Sequence, residues 1–557
     1  MSKKSNILMI YPTFPPTYWG LQYVTPLLGK KASMPPLGLL TIAALTPHDY
    51  PIRLIDLNCD PLNDEDIAWA DMVCFSAMLP QKSSLFEVAK RCRTAGKLIV
   101  FGGPYPTMSP EECAQYADVL ILNEGEITWP DFIGDWEDGT YKSIYTSTEK
   151  PDITKTPVPR FDLLKINDYI TIPLQYSRGC PYLCEFCDII VMFGRRPRTK
   201  SPEQMLNELE AVYKTGYRGT IFIVDDNFIG NKRDAKQLLT KLVDWNIAHD
   251  SPFTYGTEAT VDLADQSELL DLMLKANFIW VFLGIETPVA ESLKETLKIQ
   301  NLKGSLVDKV EAIQRAGLQV FGGFIVGFDH DPEDIFDRQV SYIDEVAISH
   351  AMIGPIVALP GTPLFTRMEN AGRLIKAAVG DEDRTVASGY TNIVTKIPMK
   401  QLLEGQIRML QAIYTPESYF SRQLRALTRL PHPKGLINRL RRIIWLFTHT
   451  RITLGRPDPT SLTASLRQIL ASYAKIPIEF FFVSLKFAVR LLRKCPDQVP
   501  YLPWSVLMGY HFYRFTNEHA VPGLNLLLRE AALSKSTILE PSHDLLGEEL
   551  ITIERSS

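Results

Sequence analysis

Residues 175–204 read QYSRGCPYLCEFCDIIVMFGRRPRTKSPEQ. They contain Cys180, Cys184 and Cys187, three of the eight cysteines in a chain of 557 residues. The other five, Cys59, Cys74, Cys92, Cys113 and Cys495, are scattered singly. Such a density is far below that of a disulfide scaffold, and a cluster of three leaves an odd thiol. Thiolates are soft ligands that hold iron–sulfur clusters. Three of them can ligate three irons of a 4Fe-4S cube and leave the fourth iron open. A structural zinc site would need a fourth protein ligand, and the next histidine downstream is His249. The cysteines follow an apolar run, as a loop leaving a strand would. Beyond them Ser201, Pro202 and Gln204 form a helix start: N-cap, first-turn proline and capping-box partner.

Outward from this loop, residues 165–395 alternate apolar runs with amphipathic stretches. Strands are predicted at Thr171–Ser177, Thr220–Asp225, Phe253–Glu258, Ile279–Ile285, Gln319–Val326 and Met352–Ala358. Six βα units predict a partial (β/α)6 barrel, with functional residues at the carboxyl ends of its strands. Residues 1–150 carry five more apolar runs: Asn6–Tyr11, Ile52–Leu57, Met72–Ala77, Lys97–Phe101 and Val119–Leu122. They lack polar alternation, as parallel strands covered on both faces should. This predicts a doubly wound, Rossmann-like α/β domain binding its ligand at the strand exits, where YPTFPP, GGPYPT and NEGE stand. Pro151–Arg160 reads as a linker. Residues 396–557 look helical. Within them Pro431–Cys495 has twelve Lys and Arg against two Asp and Glu, interleaved with apolar residues as in INRLRRIIWLF and IPIEFFFVSLKFAVRLLRK.

The whole chain is 45% hydrophobic and 22% charged, with net charge −5. That excludes collagen-like and disordered classes and gives no electrostatic sign of a nucleic-acid partner. No apolar run is long enough to span a bilayer. The run after MSKKSN is too short for a signal peptide and reads as a first strand. The expected location is the cytoplasm.

The cysteine spacing, with an aromatic before the last Cys at the first strand exit of a βα barrel, resembles the radical S-adenosylmethionine enzymes. The resemblance implies that the open iron chelates S-adenosyl-L-methionine, whose reductive cleavage yields a hydrogen-abstracting 5′-deoxyadenosyl radical. It places Phe186 near the adenine. Asp226 and Asn227, in VDDNF, would steer the methionine amino group, unless they only cap a helix. Glu258 and Glu286, at two further strand exits, would suit the ribose hydroxyls, or be surface charges. Gly323 and Gly327, in GGFIVG, match the glycine motif beside the cofactor.

A doubly wound domain ahead of such a barrel looks like the cobalamin-binding subclass. This implies a corrin site around Ser76, Gly102, Gly103, Glu124 and Gly125. The DxHxxG motif that supplies a cobalt ligand in other cobalamin proteins is absent, so cobalt without a protein His below it is expected. SRGCPYLCEFCDIIVMFGRRPRTKSPEQ with VDDNFIGNK and GIETP resembles the subgroup that includes the hopanoid C-2 methylase. The implied activity is methyl transfer to an unactivated carbon of a small, isoprenoid or lipid-like substrate, with ferredoxin or flavodoxin as electron donor. A radical cyclase like the anaerobic porphyrin ring cyclases, and a non-catalytic cobalamin or redox sensor, are the alternatives. Gly194, Arg195, Arg196 and Arg198 form a basic loop that either contacts phosphate or carboxylate or is solvated. The basic C-terminal stretch implies peripheral contact with a membrane, unless its apolar side only packs on the barrel.

Overall fold

The computed structural model describes residues 4–375, 389, 391–432 and 477–537. The first sheet comprises β1 (Ile7–Tyr11), β2 (Ile52–Asp56), β3 (Met72–Ser76), β4 (Leu98–Gly102), β5 (Val119–Ile121) and β6 (Ile144–Tyr145). All pairs are parallel, in the order β2-β1-β3-β4-β5-β6. Successive strand residues point to opposite faces, so each strand feeds two cores. Leu8, Ile10, Val73 and Phe75 join one with Leu85, Ala89 and Cys92. Ile7, Met9, Met72 and Cys74 join the other with Leu39, Trp129 and Phe132. The doubly wound domain is as expected. Strand β6 adds a sixth member, and its two residues are too few to give a periodic signal in the sequence.

The second sheet begins with β7 (Thr171–Leu174), after which the chain forms a separate antiparallel ribbon of β8 (Ser177–Arg178) and β9 (Arg198–Thr199). It continues with β10 (Thr220–Ile223), β11 (Thr254–Ala259), β12 (Phe278–Glu286), β13 (Gln319–Val326) and β14 (Ala351–Pro355). The strands β7, β10, β11, β12, β13 and β14 lie side by side in chain order, all parallel, with the two edges unjoined. This is the expected partial barrel. Along β12, Val281, Leu283 and Ile285 are fully buried beneath the helices, while Trp280, Phe282 and Gly284 face the lumen half-buried.

Two local expectations are corrected, and the connection between the domains is seen in detail. The first barrel strand stops at Leu174, because the Tyr176 N–H and the Ser177 hydroxyl both donate to the Asp225 carboxylate, each at 2.7 Å, and turn the chain out of the sheet. The Ser201 hydroxyl caps its helix through the Gln204 N–H, but the Gln204 side chain reaches the Ile153 and Thr156 carbonyls instead of closing a capping box. Pro151–Arg160 is packed, with Ile153 buried and the Arg160 N–H bonded to the Leu40 carbonyl.

Helices Met399–Ile413, Pro416–Arg429, Ile478–Lys494 and Leu502–Phe515 continue the barrel core through Leu403, Leu410, Phe420, Phe487 and Phe512. The amino end of the barrel is closed by residues from the first domain. Tyr18 packs on Phe512 and Phe515, and Trp19 reaches Phe282 and Phe321. Most of the basic stretch after Pro431, including Arg439, Arg441 and Arg442, lies outside the described residues.

Candidate active site

The cysteine loop leaves β8 through Gly179, whose φ of +95° and lack of a side chain are both required. A Cβ there would stand 2.8 Å from the Gly194 carbonyl, and the Cys180 N–H bonds to that same oxygen. Cys184 is buried and its two partners half-buried. Burial pushes the Cys180 and Cys187 thiols above the ordinary range. Such thiols need a metal or cationic surroundings to deprotonate. Other segments supply donors toward them: Gln300 Nε2 lies 3.6 Å from Cys184 Sγ, and Asn227 Nδ2 lies 3.9 Å from Cys180 Sγ. Among the described residues no three His, Cys, Asp or Glu side chains form a single-ion site. Three thiols without a fourth ligand fit a cluster with an open iron better than they fit zinc.

Two of these surroundings had no sequence signal. Lys298 is buried and pairs with Glu286 at 2.5 Å. Burial lowers its pKa, but Glu286 and then Cys184 outweigh that and hold the ammonium charged. Gly284 makes the pair possible, since a Cβ there would meet the Glu286 carboxylate at 2.6 Å and the Lys298 ammonium at 2.7 Å. Glu286 is turned toward its partner by a register shift at the end of β12, with φ +66°. The carboxylate expected to meet the ribose thus already holds a lysine. Gln300 and Asn301 come from the same 3-10 turn, Ile299–Leu302, and Asn301 bonds to the Gly284 and Ile285 carbonyls.

Beside the thiols lies an excess of carboxylates. Burial, then Asp225 and Asp188, pushes Asp226 up to about 7. Burial, then Asp226 and Asp225, pushes Glu258 up to about 8. Asp226 Oδ2 is buried without a hydrogen-bond partner. A cationic ligand would satisfy it and relieve the mutual repulsion, and S-adenosylmethionine carries both an ammonium and a sulfonium. Asp226, Asn227 and Glu258 are thus brought together near the cysteines. Phe186 packs 6.4 Å from Phe328, with Lys298 Nζ 5.8 Å from its ring. Gly323 opens the lumen above Phe282, whose Cζ a Cβ would approach to 3.0 Å. Gly327 serves a turn, at φ +99°, with its N–H on Asp331.

In the first domain Ser76, Gly102 and Gly103 meet at adjacent strand exits. A Cβ on Gly103 would lie 2.6 Å from Ser76 Oγ, and one on Gly125 would lie 2.5 Å from Ile42 Cδ1. Gly103, with φ +94° and the Ala77 backbone N and O at 3.2 and 3.3 Å, is therefore required by the protein's own packing, whatever binds above it, whereas the Ile42 side chain could move aside at Gly125. His48, the histidine nearest to the missing motif, is exposed in the loop that enters β2, at the opposite end of the sheet. Glu124 is buried and bound to two guanidinium groups. Its carboxylate accepts from Arg178 at 2.7 Å and from Arg198 at 2.7 and 3.0 Å, while Arg178 also forks onto Glu126. Of the basic loop, Arg198 thus contacts carboxylate rather than solvent. Arg178 and Asp225 are further residues the sequence reading passed over. Met108 and Val191 also meet at Gly361, within 3.9 Å of where its Cβ would stand. The strand exits of the first sheet therefore face the mouth of the barrel across the cysteine loop.

Residues 30–133 match the B12 binding domain, 174–338 the radical SAM superfamily and 362–521 a domain of unknown function (DUF4070). Over 428 residues the chain is 43% identical to an uncharacterized methyltransferase of Synechocystis sp., covering 77% of this chain and 79% of the relative. It is 32% identical over 421 residues to the hopanoid C-2 methylase of Rhodopseudomonas palustris, covering 75% and 78%. The chain belongs to the cobalamin-binding radical S-adenosylmethionine enzymes. Its cofactors are a 4Fe-4S cluster, S-adenosyl-L-methionine and cobalamin. The enzyme's fold is that of the cobalamin-dependent S-adenosylmethionine radical enzyme OxsB, with TM-score 0.59 at 15% identity over 97% of this chain and 82% of that one. It is also that of the radical S-adenosylmethionine methyltransferase TsrM from Kitasatospora setae, with TM-score 0.52 at 15% identity over 66% and 76%.

Proposed function

We propose that this enzyme transfers a methyl group to an unactivated carbon of an apolar, isoprenoid or lipid-like substrate. The observation that carries the reading is the lumen beneath the cysteine loop. Trp19, Phe222, Trp280 and Phe282 are half-buried there, and ring centroids lie 5.1 Å apart for Phe222 and Trp280 and 5.2 Å apart for Trp280 and Phe321. Aromatic side chains along the inner face of the strands suit an apolar ligand. The similarity to a hopanoid methylase points the same way.

When bound, the cofactors supply a hydrogen-abstracting radical and a methyl donor. The chain's own part is to hold them and to keep water out. Cys180, Cys184 and Cys187 are proposed as cluster ligands. Asp226, Asn227 and Glu258 would hold the cationic cofactor, and Phe186, Gly323 and Gly327 would border it. Ser76, Gly102, Gly103 and Gly125 are proposed at the corrin, with the Glu124–Arg178–Arg198 network fixing its domain over the barrel. The electron would come from a ferredoxin- or flavodoxin-type donor.

The test is anaerobic turnover of reconstituted protein with methyl-labelled S-adenosylmethionine and an isoprenoid lipid extract. Label should appear in a product together with 5′-deoxyadenosine. An isomerised or cyclised product without label would replace methyl transfer by the cyclase reading. Absence of 5′-deoxyadenosine under every reductant would favour a sensor.

A further inference from the structure

Helix Ile478–Lys494 has two apolar faces, and only one is used. Phe480, Ser484, Phe487 and Leu491 are buried, with Phe480 and Phe487 packed on Phe420 at 5.4 and 4.9 Å. The opposite face carries Ile478, Phe481, Phe482, Leu485, Val489 and Leu492, which are 70, 38, 55, 49, 40 and 54% exposed. Counted from Ile478 the other five stand at three, four, seven, eleven and fourteen, which places all six on a single helical stripe. Soluble proteins scatter exposed apolar side chains; a contiguous stripe marks a surface that meets something.

The charges say what. Lys486, Arg490 and Arg493, at steps of four and three, run along one flank of the stripe. With Lys494 they make four exposed cations against one acid, Glu479. A long apolar stripe edged by flexible basic side chains is the pattern of a helix lying in a lipid headgroup layer, its cations reaching back to phosphate. No helix among the described residues is long and apolar enough to cross a membrane, so the geometry is that of a peripheral helix.

We infer that helix Ile478–Lys494 docks this enzyme onto an anionic lipid surface, with the Phe482–Leu485–Val489 stripe inserted between headgroups. The stripe is far from the cysteine loop in sequence and needs no cofactor to act, so the inference stands or falls separately from the choice of substrate.

Flotation of the full chain decides it, with vesicles of phosphatidylcholine alone or with about one third phosphatidylglycerol. The protein should float with the anionic vesicles and stay behind with the neutral ones. Lys486→Gln with Arg490→Gln should weaken binding about fivefold per residue, an effect erased by high salt. Phe482→Asp with Leu485→Asp should abolish flotation and leave the thermal midpoint and elution volume unchanged. If that double variant instead lowers the midpoint or changes the oligomeric state, the stripe is covered by protein and the inference is wrong. It is equally wrong if the native protein ignores anionic vesicles at low salt.

Discussion

Replacing Glu124 by Gln tests how the first domain is held over the barrel. The Glu124 side chain is 2% exposed, and its two partners, Arg178 and Arg198, are 11 and 17% exposed. Glu124 and Glu126 balance the two guanidinium groups. In Glu124→Gln, Arg178 keeps its fork on Glu126, but Arg198 loses its carboxylate and keeps neutral acceptors only, the amide oxygen and the Pro151 and Phe193 carbonyls, the last two at 2.9 and 3.3 Å. Removing one partner from a buried pair costs about 3–5 kcal/mol, because the survivor is left uncompensated. The cost falls on the contact between domains, whose backbone hydrogen bonds include Lys31 N–H to Asp168 carbonyl and Thr171 N–H to Ser33 carbonyl, at 2.8 and 2.9 Å. At about 1.4 kcal/mol per factor of ten, their opening should become roughly 100- to 4000-fold more frequent. Hydrogen exchange on cofactor-free protein measures this directly. Glu124→Gln combined with Arg198→Met should recover most of the protection, since removing both members of a buried pair is close to neutral. If exchange in Glu124→Gln stays within threefold of the native rate, the network does not hold the domains together. Cofactor-free protein also separates this role from any contact Glu124 makes with a corrin.

Lys298→Met should destabilise the barrel by about 3–5 kcal/mol in denaturant unfolding, because Glu286 is left buried alone; Glu286→Gln in the same chain should restore most of it. Gly103→Ala should cost about 1–3 kcal/mol in cofactor-free protein, through the 2.6 Å approach to Ser76 Oγ and the φ of +94°. Gly102→Ala, whose Cβ meets only the Ile121 carbonyl at 3.3 Å and its side chain at 3.7 Å, should be milder. Burial raises the Glu126 pKa, but Arg178 outweighs this and depresses it below the ordinary value. Its share of stability is therefore complete above about pH 4.3 and lost as pH falls through the depressed value; Glu126→Gln should flatten that limb of a stability-versus-pH curve. Reconstituted native protein should hold about four irons and four sulfides, and Cys184→Ala should lose cleavage of S-adenosylmethionine while unfolding as the native protein does.

What the sequence displayed was whatever is local. Cys180, Cys184 and Cys187 are spaced by the chain itself, and the apolar runs of both sheets are contiguous. Both α/β layers and the proposed cluster ligands could therefore be read directly. The residues that surround the cysteines could not. Arg178 meets Glu124 across 54 positions and Arg198 meets it across 74. Lys298 and Gln300 sit in TLKIQNLKG, which reads as an ordinary solvated turn. Nothing in a period of two or 3.6 reports that a lysine will be buried against a glutamate twelve positions earlier. Asp225, beside the named Asp226, was hidden for a different reason: its role is to end β7 by capturing the Tyr176 N–H and Ser177 hydroxyl, a tertiary override of a strand-forming run.

The glycines unite these two kinds of information. Gly179, Gly284 and Gly103 each stand where a methyl group would collide with the chain itself, at 2.8, 2.6 and 2.6 Å. Each collision lies at a point where the protein brings a functional loop close to something else: the cysteine loop to its return strand, the lysine to its carboxylate, one strand exit to the next. A β-branched or bulky residue at any of them would push apart surfaces that must meet at a fixed separation. The strand exits of the first sheet and the mouth of the barrel face each other across Arg178 and Arg198. On the proposed reading, a group handed from one domain to a carbon held in the other has to cross that gap without leaving it. The buried ion pairs fix the width of the gap, and the glycines let the loops that line it approach. The placing of one domain over the other therefore rests on these few residues, so variants at the ion pairs and at these glycines should lower protection across the domain contact and the rate of methyl transfer together.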